Sequence, residues 1–472
     1  ARTARAVALK GTVMTTRHAA LVFTVFTGLF AGLPTAAAAQ TEPVTLEQAV
    51  AKLAALQAQL EAVQAEVAAL RAQAAAKDAA PAQQQATATP APPAPATDPV
   101  KVSWKGAPEV SSKGWSFKPR GRLQLDAARV SHPADIADDG LGFSNELRRA
   151  YLGVQGTMPG GFGYRVDVDF APASPEFQEA YIDFTRGRTT ITVGQHNGFQ
   201  GLEELTSDVN TSFLERAAFT DAFGFERRLG ISAQYRGKAV LLQGGVFTDN
   251  IADLSDDAND SYGVDGRIVF SPKAGGAQLH AGVSAHYRDA GSTGGGTRYR
   301  QRPQVHTTDV RFLATPALPV TAETSYGLEL AAIAGPFHAA AEAHWLNVSV
   351  AGAPNPTFFG GYIEGGWMLT GESRGYKDGA FDRIKVGRPV PDGGIGAFAL
   401  NLRYDYLDLG DAGIVGGRQR GYLAALIWKP TDYVLFALNG GRLVFDDAAI
   451  AGTGGDRDYS ATIVGVRSQI DF

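Results

Sequence analysis

The chain of 472 residues contains no cysteine, which excludes disulfide scaffolds, cysteine-ligated metal sites and thiol nucleophiles. Charged residues make up only 19 %, and the formal net charge of -5 provides no overall basic field for a nucleic acid. Beyond the N-terminal segment there is no apolar run of 18 residues, which argues against a polytopic helical membrane protein. Glycine is abundant, with 56 residues, and aromatic residues reach 10 %, so the composition favours a β-rich chain.

The N-terminal segment predicts an export signal. Residues 14–39 combine a basic start, an apolar run of about 15 residues and a series of alanines before Gln40. Because a membrane-spanning helix needs ~20 apolar residues, we interpret residues 1–39 as a signal peptide and not as a transmembrane anchor. Met14 is the more natural start, so residues 1–13 are interpreted as an over-extended start.

Residues 44–73 carry the repeat of a coiled coil. Apolar residues recur at alternating intervals of three and four, a period of 3.5 that favours association of helices over one helix docked on a core. These residues are Leu46, Ala49, Leu53, Leu56, Leu60, Val63, Val67 and Leu70. The next segment, 74–114, contains a stretch rich in alanine, glutamine and proline, and we predict an extended linker.

From residue 115 to residue 472 the period changes to two. Polar and apolar residues alternate, for example over 164–170 and 400–406, which places them on opposite faces of a strand. We count roughly sixteen such segments, centred near residues 125, 151, 166, 181, 192, 231, 244, 266, 283, 328, 343, 364, 401, 424, 438 and 466. Short turns alternate with long gaps, which are predicted at 131–145, 250–260, 289–320, 372–393, 408–418 and 446–457.

This pattern predicts an all-β fold, namely a sixteen-stranded antiparallel transmembrane β-barrel over residues 115–472, preceded by a short coiled-coil helix. Short turns on one side and long loops on the other are typical of barrels in the outer membrane of Gram-negative bacteria. A soluble sandwich or propeller is the alternative. Strands of ten or more residues and aromatic residues near the strand ends favour the membrane barrel.

Short motifs in this segment follow one another in a specific order. They are Glu146-Leu-Arg-Arg-Ala-Tyr-Leu-Gly153, Phe177-Gln-Glu-Ala-Tyr-Ile182, Val193-Gly-Gln195, Gly201-Leu-Glu-Glu-Leu-Thr-Ser207, Phe213-Leu-Glu-Arg216, Arg227-Arg-Leu-Gly230, Leu369-Thr-Gly-Glu-Ser373, Leu402-Arg-Tyr404 and Leu407-Asp-Leu409. In order and spacing they resemble the phosphate-selective porin O and P family. The resemblance implies a homotrimeric porin for small anions such as phosphate or polyphosphate, and a constriction loop over residues 196–226. That loop contains Glu203, Glu204, Ser207 and Arg216.

Strand parity assigns candidate residues to the pore wall. A charge at mid-membrane on the lipid face costs roughly 2–4 kcal/mol, so arginines that alternate with apolar residues are predicted to face the lumen. The pore-lining and anion-binding candidates are Arg122, Arg149, Arg165, Arg228, Arg403 and Arg467. Carboxylates share this parity, so any single arginine can instead be paired with a carboxylate on a neighbouring strand. As a set, these arginines are predicted to form a net basic lane.

Two further arginines have separate interpretations. Arg148 has the lipid-facing parity and is predicted to lie near the membrane interface or outside the regular strand pairing. Arg216 lies in the constriction loop, where it either contacts the ion or pins the loop to Glu203 or Glu204; pinning is favoured.

Alternatives to an anion channel remain at this point. Members of the family often carry a lysine shortly after the Gly-Gln pair, whereas this chain continues with His196 and Asn197, so a general porin or a porin for another solute is an alternative. An envelope tether whose coiled coil contacts the cell wall is a second one. The histidines form no metal-binding motif and no nucleophile motif follows a strand, so we expect no cofactor, no metal and no enzymatic activity.

Overall fold

The computed structural model describes residues 100–255 and 259–472. The predicted signal peptide, the predicted coiled coil and most of the predicted linker lie outside these residues. Sixteen antiparallel strands dominate the described part: β1 Trp115–Val130, β2 Gly142–Met158, β3 Phe162–Asp169, β4 Glu176–Arg186, β5 Thr189–Asn197, β6 Arg227–Arg236, β7 Val240–Phe247, β8 Tyr262–Phe270, β9 Ala277–Asp289, β10 Leu318–Ala334, β11 Phe337–Val350, β12 Thr357–Met368, β13 Ala397–Asp411, β14 Ile414–Thr431, β15 Val434–Asp446 and β16 Tyr459–Asp471.

Short elements accompany these strands. The further strands are Lys101–Trp104, Pro108–Ser112, Lys273–Ala274, Gly295–Thr297, Arg300–Gln301, Leu313–Ala314, Gly375–Lys377 and Ala380–Asp382. The helices are α1 Leu202–Leu205 and α2 Ala218–Ala222, with 3-10 turns at Pro133–Asp135, Asp253–Ser255, Gly291–Gly294, Val390–Asp392 and Thr453–Gly455. None of the helices within residues 100–255 and 259–472 is long and apolar enough to cross a membrane.

The sixteen strands form a closed barrel. Each strand pairs with the next, and β16 pairs with β1, where Arg467 lies opposite Asp126. The predicted strand number and antiparallel barrel are confirmed, and each of the sixteen predicted centres falls within one strand. Closure leaves no strand edge unpaired, as a barrel in lipid requires.

The two faces of the wall differ in polarity. Outward side chains such as Leu152 and Ile363 are each 60 % exposed, whereas the inward Gln124 and Asp405 are buried. Aromatic rings group on the outer surface near both strand ends, for instance Phe398 with Trp428 near the short turns. An apolar outer face between aromatic belts is the arrangement that a barrel needs in a bilayer.

Three sequence-based predictions about connections are wrong. A long loop was predicted at 408–418, but β13 and β14 are joined by a tight turn at Ala412 and Gly413, both with positive φ. The long gap 372–393 lies at the short-turn end, because it follows β12 and consecutive strands run in opposite directions. Finally, the predicted linker includes the paired strands Lys101–Trp104 and Pro108–Ser112, of which the second pairs with β1.

Three connecting segments have residues that contact the inner wall. We call residues 198–226 between β5 and β6 the lumen loop, and residues 290–317 between β9 and β10 the mouth loop. Residues 369–396 between β12 and β13, named the strap, reach the interior from the short-turn end. These segments bond to inward-facing side chains and subdivide the lumen into the cavities described below.

Candidate functional site

Carboxylates of the barrel wall hold the lumen loop in place. Glu342 on β11 accepts hydrogen bonds from the backbone N–H groups of Leu202 (2.9 Å) and Glu203 (2.7 Å) in the first turn of α1. Asp405 on β13 accepts a hydrogen bond from the N–H of Ala218, the first residue of α2 (3.0 Å). The first N–H groups of a helix have no intrahelical acceptor, so these wall carboxylates satisfy them and balance the positive end of the helix dipole.

A buried ion-pair cluster joins the same loop to β12 and β13. The Arg403 guanidinium contacts Glu203 of the loop and lies 2.6 Å from Glu364 of β12. All three side chains are at most 6 % exposed. Burial raises the pKa of Glu203 to about 7, while Arg403 opposes that rise and Glu364 adds to it. One guanidinium therefore pairs with two buried carboxyl groups and links the lumen loop to the barrel wall.

Arg216 turns back onto its own loop. Its Nε donates to the carbonyl oxygen of Glu203 (3.1 Å), and its Nη2 donates to those of Glu204 (3.1 Å) and Thr206 (3.0 Å). Its Nε also lies 3.4 Å from the Glu204 carboxylate. Burial raises the pKa of Glu204, and Arg216 opposes that rise. The contacts of Arg216 fix the shape of the loop, whereas Ser207 lies at its edge near a wall arginine.

Close packing completes the attachment of the lumen loop. The Phe219 ring in α2 is fully buried and stacks on His344 at 4.6 Å between ring centroids. It lies against Gly360 on β12, where a Cβ atom would be 2.3 Å from the Phe219 Cβ. Glycine at this position therefore lets the loop approach the wall.

All six candidate arginines have side chains that are buried or partly buried on the inner side of the wall, and five of them are paired with carboxylates. Arg122 and Arg149 share Asp208 of the lumen loop, with 2.7 Å between Arg149 Nε and the carboxylate. Burial alone would raise the pKa of Asp208, but these two guanidinium groups hold it well below its ordinary value. Arg165 bonds Asp167 at 2.6 Å, and Arg120 bonds the same carboxylate at 3.1 Å. Two arginines thus share each of these carboxylates.

The remaining candidates differ in their partners. Arg467 bonds Asp126 at 2.7 Å and also reaches Glu215 of the lumen loop at 3.0 Å. Arg403 belongs to the cluster described above. Arg228 has no carboxylate partner within residues 100–255 and 259–472, and its Nη1 lies 3.4 Å from His286 Nε2. Pairing with carboxylates, the alternative given for any single arginine, therefore describes five of the six positions.

Arg148 occupies a β-bulge. The pairing of β1 with β2 shifts at this point, since Gln124 lies opposite Arg149 and Leu125 lies opposite Leu147. Arg148 is the extra residue, and its Nε bonds Glu215 of the lumen loop at 3.1 Å. A bulge releases one residue from the alternation of faces, which explains how a side chain of outward parity reaches the loop.

Sequence reasoning missed the arginines of the mouth loop. Arg298, Arg300 and Arg302 alternate in this segment, and all three line a cavity of about 410 Å³. Arg311 lines it too, and its Nε and Nη1 have no hydrogen-bond partner among the described residues. Burial and the neighbouring Arg302 lower the pKa of Arg311. The alternation of arginine from residue 298 to 302 is the sequence signal that indicates this cluster.

Three polar cavities lie within the lumen. The mouth cavity of about 410 Å³ is lined by Arg228, Arg288, Arg298, Arg300, Arg302 and Arg311, against Asp221, Glu226 and Glu323. The middle cavity of about 330 Å³ has Arg148, Arg149, Arg216, Arg227 and Arg302, against Glu176, Glu204, Glu215, Asp221 and Glu226. The inner cavity of about 590 Å³ has Lys105, Lys118, Arg120, Arg122, Arg165, Lys377 and Arg383, against Asp378, Asp382 and Asp471. Among the lining side chains, cations outnumber carboxylates in the mouth and inner cavities. Several of these arginines also pair with carboxylates behind the lining, namely Asp167, Asp208, Asp249 and Asp309.

The strap meets the lumen loop from the opposite end of the barrel. Arg374 donates to the Ser212 hydroxyl of the lumen loop (2.6 Å) and lies 3.0 Å from His338 on β11. Tyr376 bonds His280 on β9 (2.7 Å), and the Gly379 carbonyl accepts a hydrogen bond from a wall arginine on β8 (2.8 Å). The strap therefore fills the lumen beside β8–β12, and the inner cavity remains between the strap and β1–β3.

The polar side chains that line the cavities can contact ions. Within residues 100–255 and 259–472 no group of three or more histidine, aspartate or glutamate side chains could hold a metal ion. The cavities present guanidinium, ammonium, hydroxyl and amide groups, which donate hydrogen bonds to oxyanions.

Comparisons with known proteins identify a family and several similar chains. The family model of the phosphate-selective porin O and P matches residues 117–472. An uncharacterized protein of Caulobacter vibrioides is 47 % identical over 396 residues, covering 82 % of this chain and 80 % of the relative. The outer membrane channel DcaP of Acinetobacter baumannii is 14 % identical, with a TM-score of 0.45 over 76 % of this chain and 98 % of that chain. The anion-selective porin from Comamonas acidovorans is 13 % identical, with a TM-score of 0.49 over 76 % and 100 %. On the family match, the chain belongs to the phosphate-selective porin O and P family and is a porin of the Gram-negative outer membrane.

Proposed function

We propose that this porin conducts small anions by passive diffusion, with phosphate or polyphosphate as the substrate class. The observation that carries the proposal is the excess of cations at both ends of the lumen. Six arginines against three carboxylates line the mouth cavity, and seven lysines and arginines against three carboxylates line the inner cavity. A cavity with low-dielectric walls and one excess sign of charge concentrates ions of the opposite sign.

Shared carboxylates moderate the charge of the arginines on the inner wall. Asp208 and Asp167 each serve two arginines, so part of each guanidinium remains able to donate to a passing ion. An anion that loses water gains charge-assisted hydrogen bonds at each step. Because the carboxylates already neutralise part of the charge, each contact is weak enough for the ion to leave. Conduction needs this balance of entry and release.

The direct test is the reversal potential of the purified porin in a planar bilayer under a KCl gradient. We expect a potential that shows preference for chloride, and we expect added phosphate to reduce the chloride current. Preference for potassium would overturn the proposal. Chloride preference without an effect of phosphate would keep an anion porin and reject phosphate as its substrate. This outcome matters because the chain lacks the lysine that family members often carry shortly after the Gly-Gln pair.

A pair of variants tests the mouth arginines themselves. Arg298 and Arg300 have no carboxylate partner among the described residues and line the mouth cavity, so Arg298→Gln combined with Arg300→Gln is expected to shift the reversal potential toward zero. The matched control is Arg186→Gln with Arg188→Gln, two arginines at the short turn between β4 and β5. Equal reversal potentials for the mouth variant and the unchanged protein would show that these arginines do not set selectivity.

A further inference from the structure

A second group of arginines lies outside the lumen, on the outer surface of the barrel. Arg129 on β1, Arg418 and Arg420 on β14, and Arg442 on β15 form the outer arginine patch. Arg442 lies opposite the outward-facing Tyr422 on β14, and Arg129 lies opposite Phe143, which is 69 % exposed. All four arginines therefore belong to the outward face. β16 separates Arg129 from Arg442, so their backbones are about 10 Å apart across the sheet.

Neighbouring aromatic rings give the level of the patch in the membrane. Tyr404 and Tyr422 face outward with 5.4 Å between ring centroids, and Arg442 is in register with Tyr422. Arg420 lies opposite Tyr406. Aromatic belts mark the boundary between hydrocarbon and headgroups. The patch therefore lies at the headgroup level on the long-loop side, which is the external side of an outer-membrane barrel.

The charge of the patch is only partly neutralised. Arg418 bonds Asp408 at 2.9 Å, and Arg420 bonds Asp446 at 2.8 Å. Arg442 donates to the Ser460 hydroxyl at 3.0 Å and Arg129 makes no ion pair with any described residue. Two of the four guanidinium groups thus lack a carboxylate partner, and both are exposed on the outer surface of the barrel.

We propose that the outer arginine patch binds the anionic headgroup of lipopolysaccharide in the external leaflet. That headgroup carries oxyanions at the level where the patch lies, and guanidinium groups bind phosphate and carboxylate oxygens through paired hydrogen bonds. Basic clusters at the membrane surface recognise anionic lipid headgroups in this way. Arg129 and Arg442 supply the unneutralised charge, and the paired Arg418 and Arg420 extend the contact. The inference is independent of the solute that the lumen conducts.

The test compares binding of purified lipopolysaccharide to the full-length porin and to the variant Arg129→Gln with Arg442→Gln. Retention of lipopolysaccharide by the detergent-solubilised protein and the rise in its melting temperature on adding lipopolysaccharide are measured together. We expect the double variant to bind at least tenfold more weakly. The control Arg186→Gln with Arg188→Gln removes two charges at the opposite end of the barrel and is expected to bind as the unchanged protein does.

Further arms separate the possible sources of binding. Dephosphorylated lipopolysaccharide tests whether phosphate or carboxylate groups are recognised, and phosphatidylglycerol vesicles test for general attraction to anionic lipid. Equal binding of lipopolysaccharide by the double variant and the unchanged protein would overturn the proposal. Loss of an oligomer with unchanged lipopolysaccharide binding would also overturn it, and would assign the patch to a contact between copies. The reversal potential of the double variant is expected to be unchanged, so failure here is distinct from failure of anion conduction.

Discussion

Replacing Arg403 by methionine tests whether the buried cluster holds the lumen loop against the wall. Arg403 contacts Glu203 of the loop and Glu364 of β12, and methionine fills a similar volume without charge. After the substitution Glu203 loses its guanidinium partner, and Glu364 retains the Ser212 hydroxyl and the charge of the nearby Arg374. The loop is then expected to leave the wall and widen the lumen.

The magnitude follows from burial. Removing one partner of a buried ion pair costs about 3–5 kcal/mol, because the remaining charge is neither solvated nor paired. At 1.36 kcal/mol per factor of ten, this is roughly two to four powers of ten in the equilibrium between the attached and the released loop. The effect depends on pH. Arg403 opposes the rise in the pKa of Glu203, so its removal moves that pKa above 7, and protonation at pH 5 relieves part of the cost.

The assay is single-channel conductance in planar bilayers at pH 5 and pH 8, with thermal unfolding measured on the same samples. We expect a larger and noisier conductance at pH 8 than at pH 5 for Arg403→Met. The control adds Glu203→Gln and Glu364→Gln to the same chain, which removes both carboxylate charges and is expected to restore most of the stability. A single variant with the conductance and melting temperature of the unchanged protein at both pH values would refute the reasoning.

Three more predictions concern the lumen loop and the assembly. Gly360→Ala places a Cβ atom 2.3 Å from Phe219 and is expected to destabilise the protein by about 1–3 kcal/mol in thermal unfolding, whereas Gly266→Ala, which meets nothing within 4 Å, is expected to change little. The folded state holds the Glu203 proton up to about pH 7, whereas the unfolded state releases it near pH 4.5. The stabilising contribution of this group therefore decreases as the pH rises from 4.5 to 7. Glu203→Gln is expected to flatten that part of the pH profile of stability. We expect light scattering to show a homotrimer. Deletion of residues 44–99 is expected to leave conductance intact while weakening the trimer. Loss of envelope integrity with intact conductance would instead favour the alternative function of an envelope tether.

The strands were predictable because a bilayer imposes the same rule on every one of them. Inward and outward residues alternate with period two, and only a closed barrel satisfies the backbone in lipid. Alternation alone located all sixteen strands. It also predicted which arginines face inward, because a charge on the lipid face is costly.

The interior was less predictable, since its contacts join residues far apart in sequence. The pairing of Arg122 with Asp208, or of Arg403 with Glu203, depends on where a loop of 29 residues lies, and no local pattern specifies that. Arg148 shows that strand parity can also fail locally, because a single bulge reverses the face to which parity assigns this side chain. The location of the strap was derivable from the order of the strands, since every second connection lies at the same end of the barrel.

The net charge of -5 does not by itself exclude an anion channel, because part of the negative charge lies in exposed loops outside the lumen. Asp138 and Asp139 lie exposed between β1 and β2, and Asp456 lies exposed between β15 and β16. At physiological salt the field of an exposed charge is screened within about 8 Å, whereas charges enclosed by the barrel are screened much less. An ion in the mouth cavity therefore responds mainly to the arginines that line it. Under the proposed function, neutralising Arg298 and Arg300 is expected to alter selectivity more than removing an equal charge from the exposed loops.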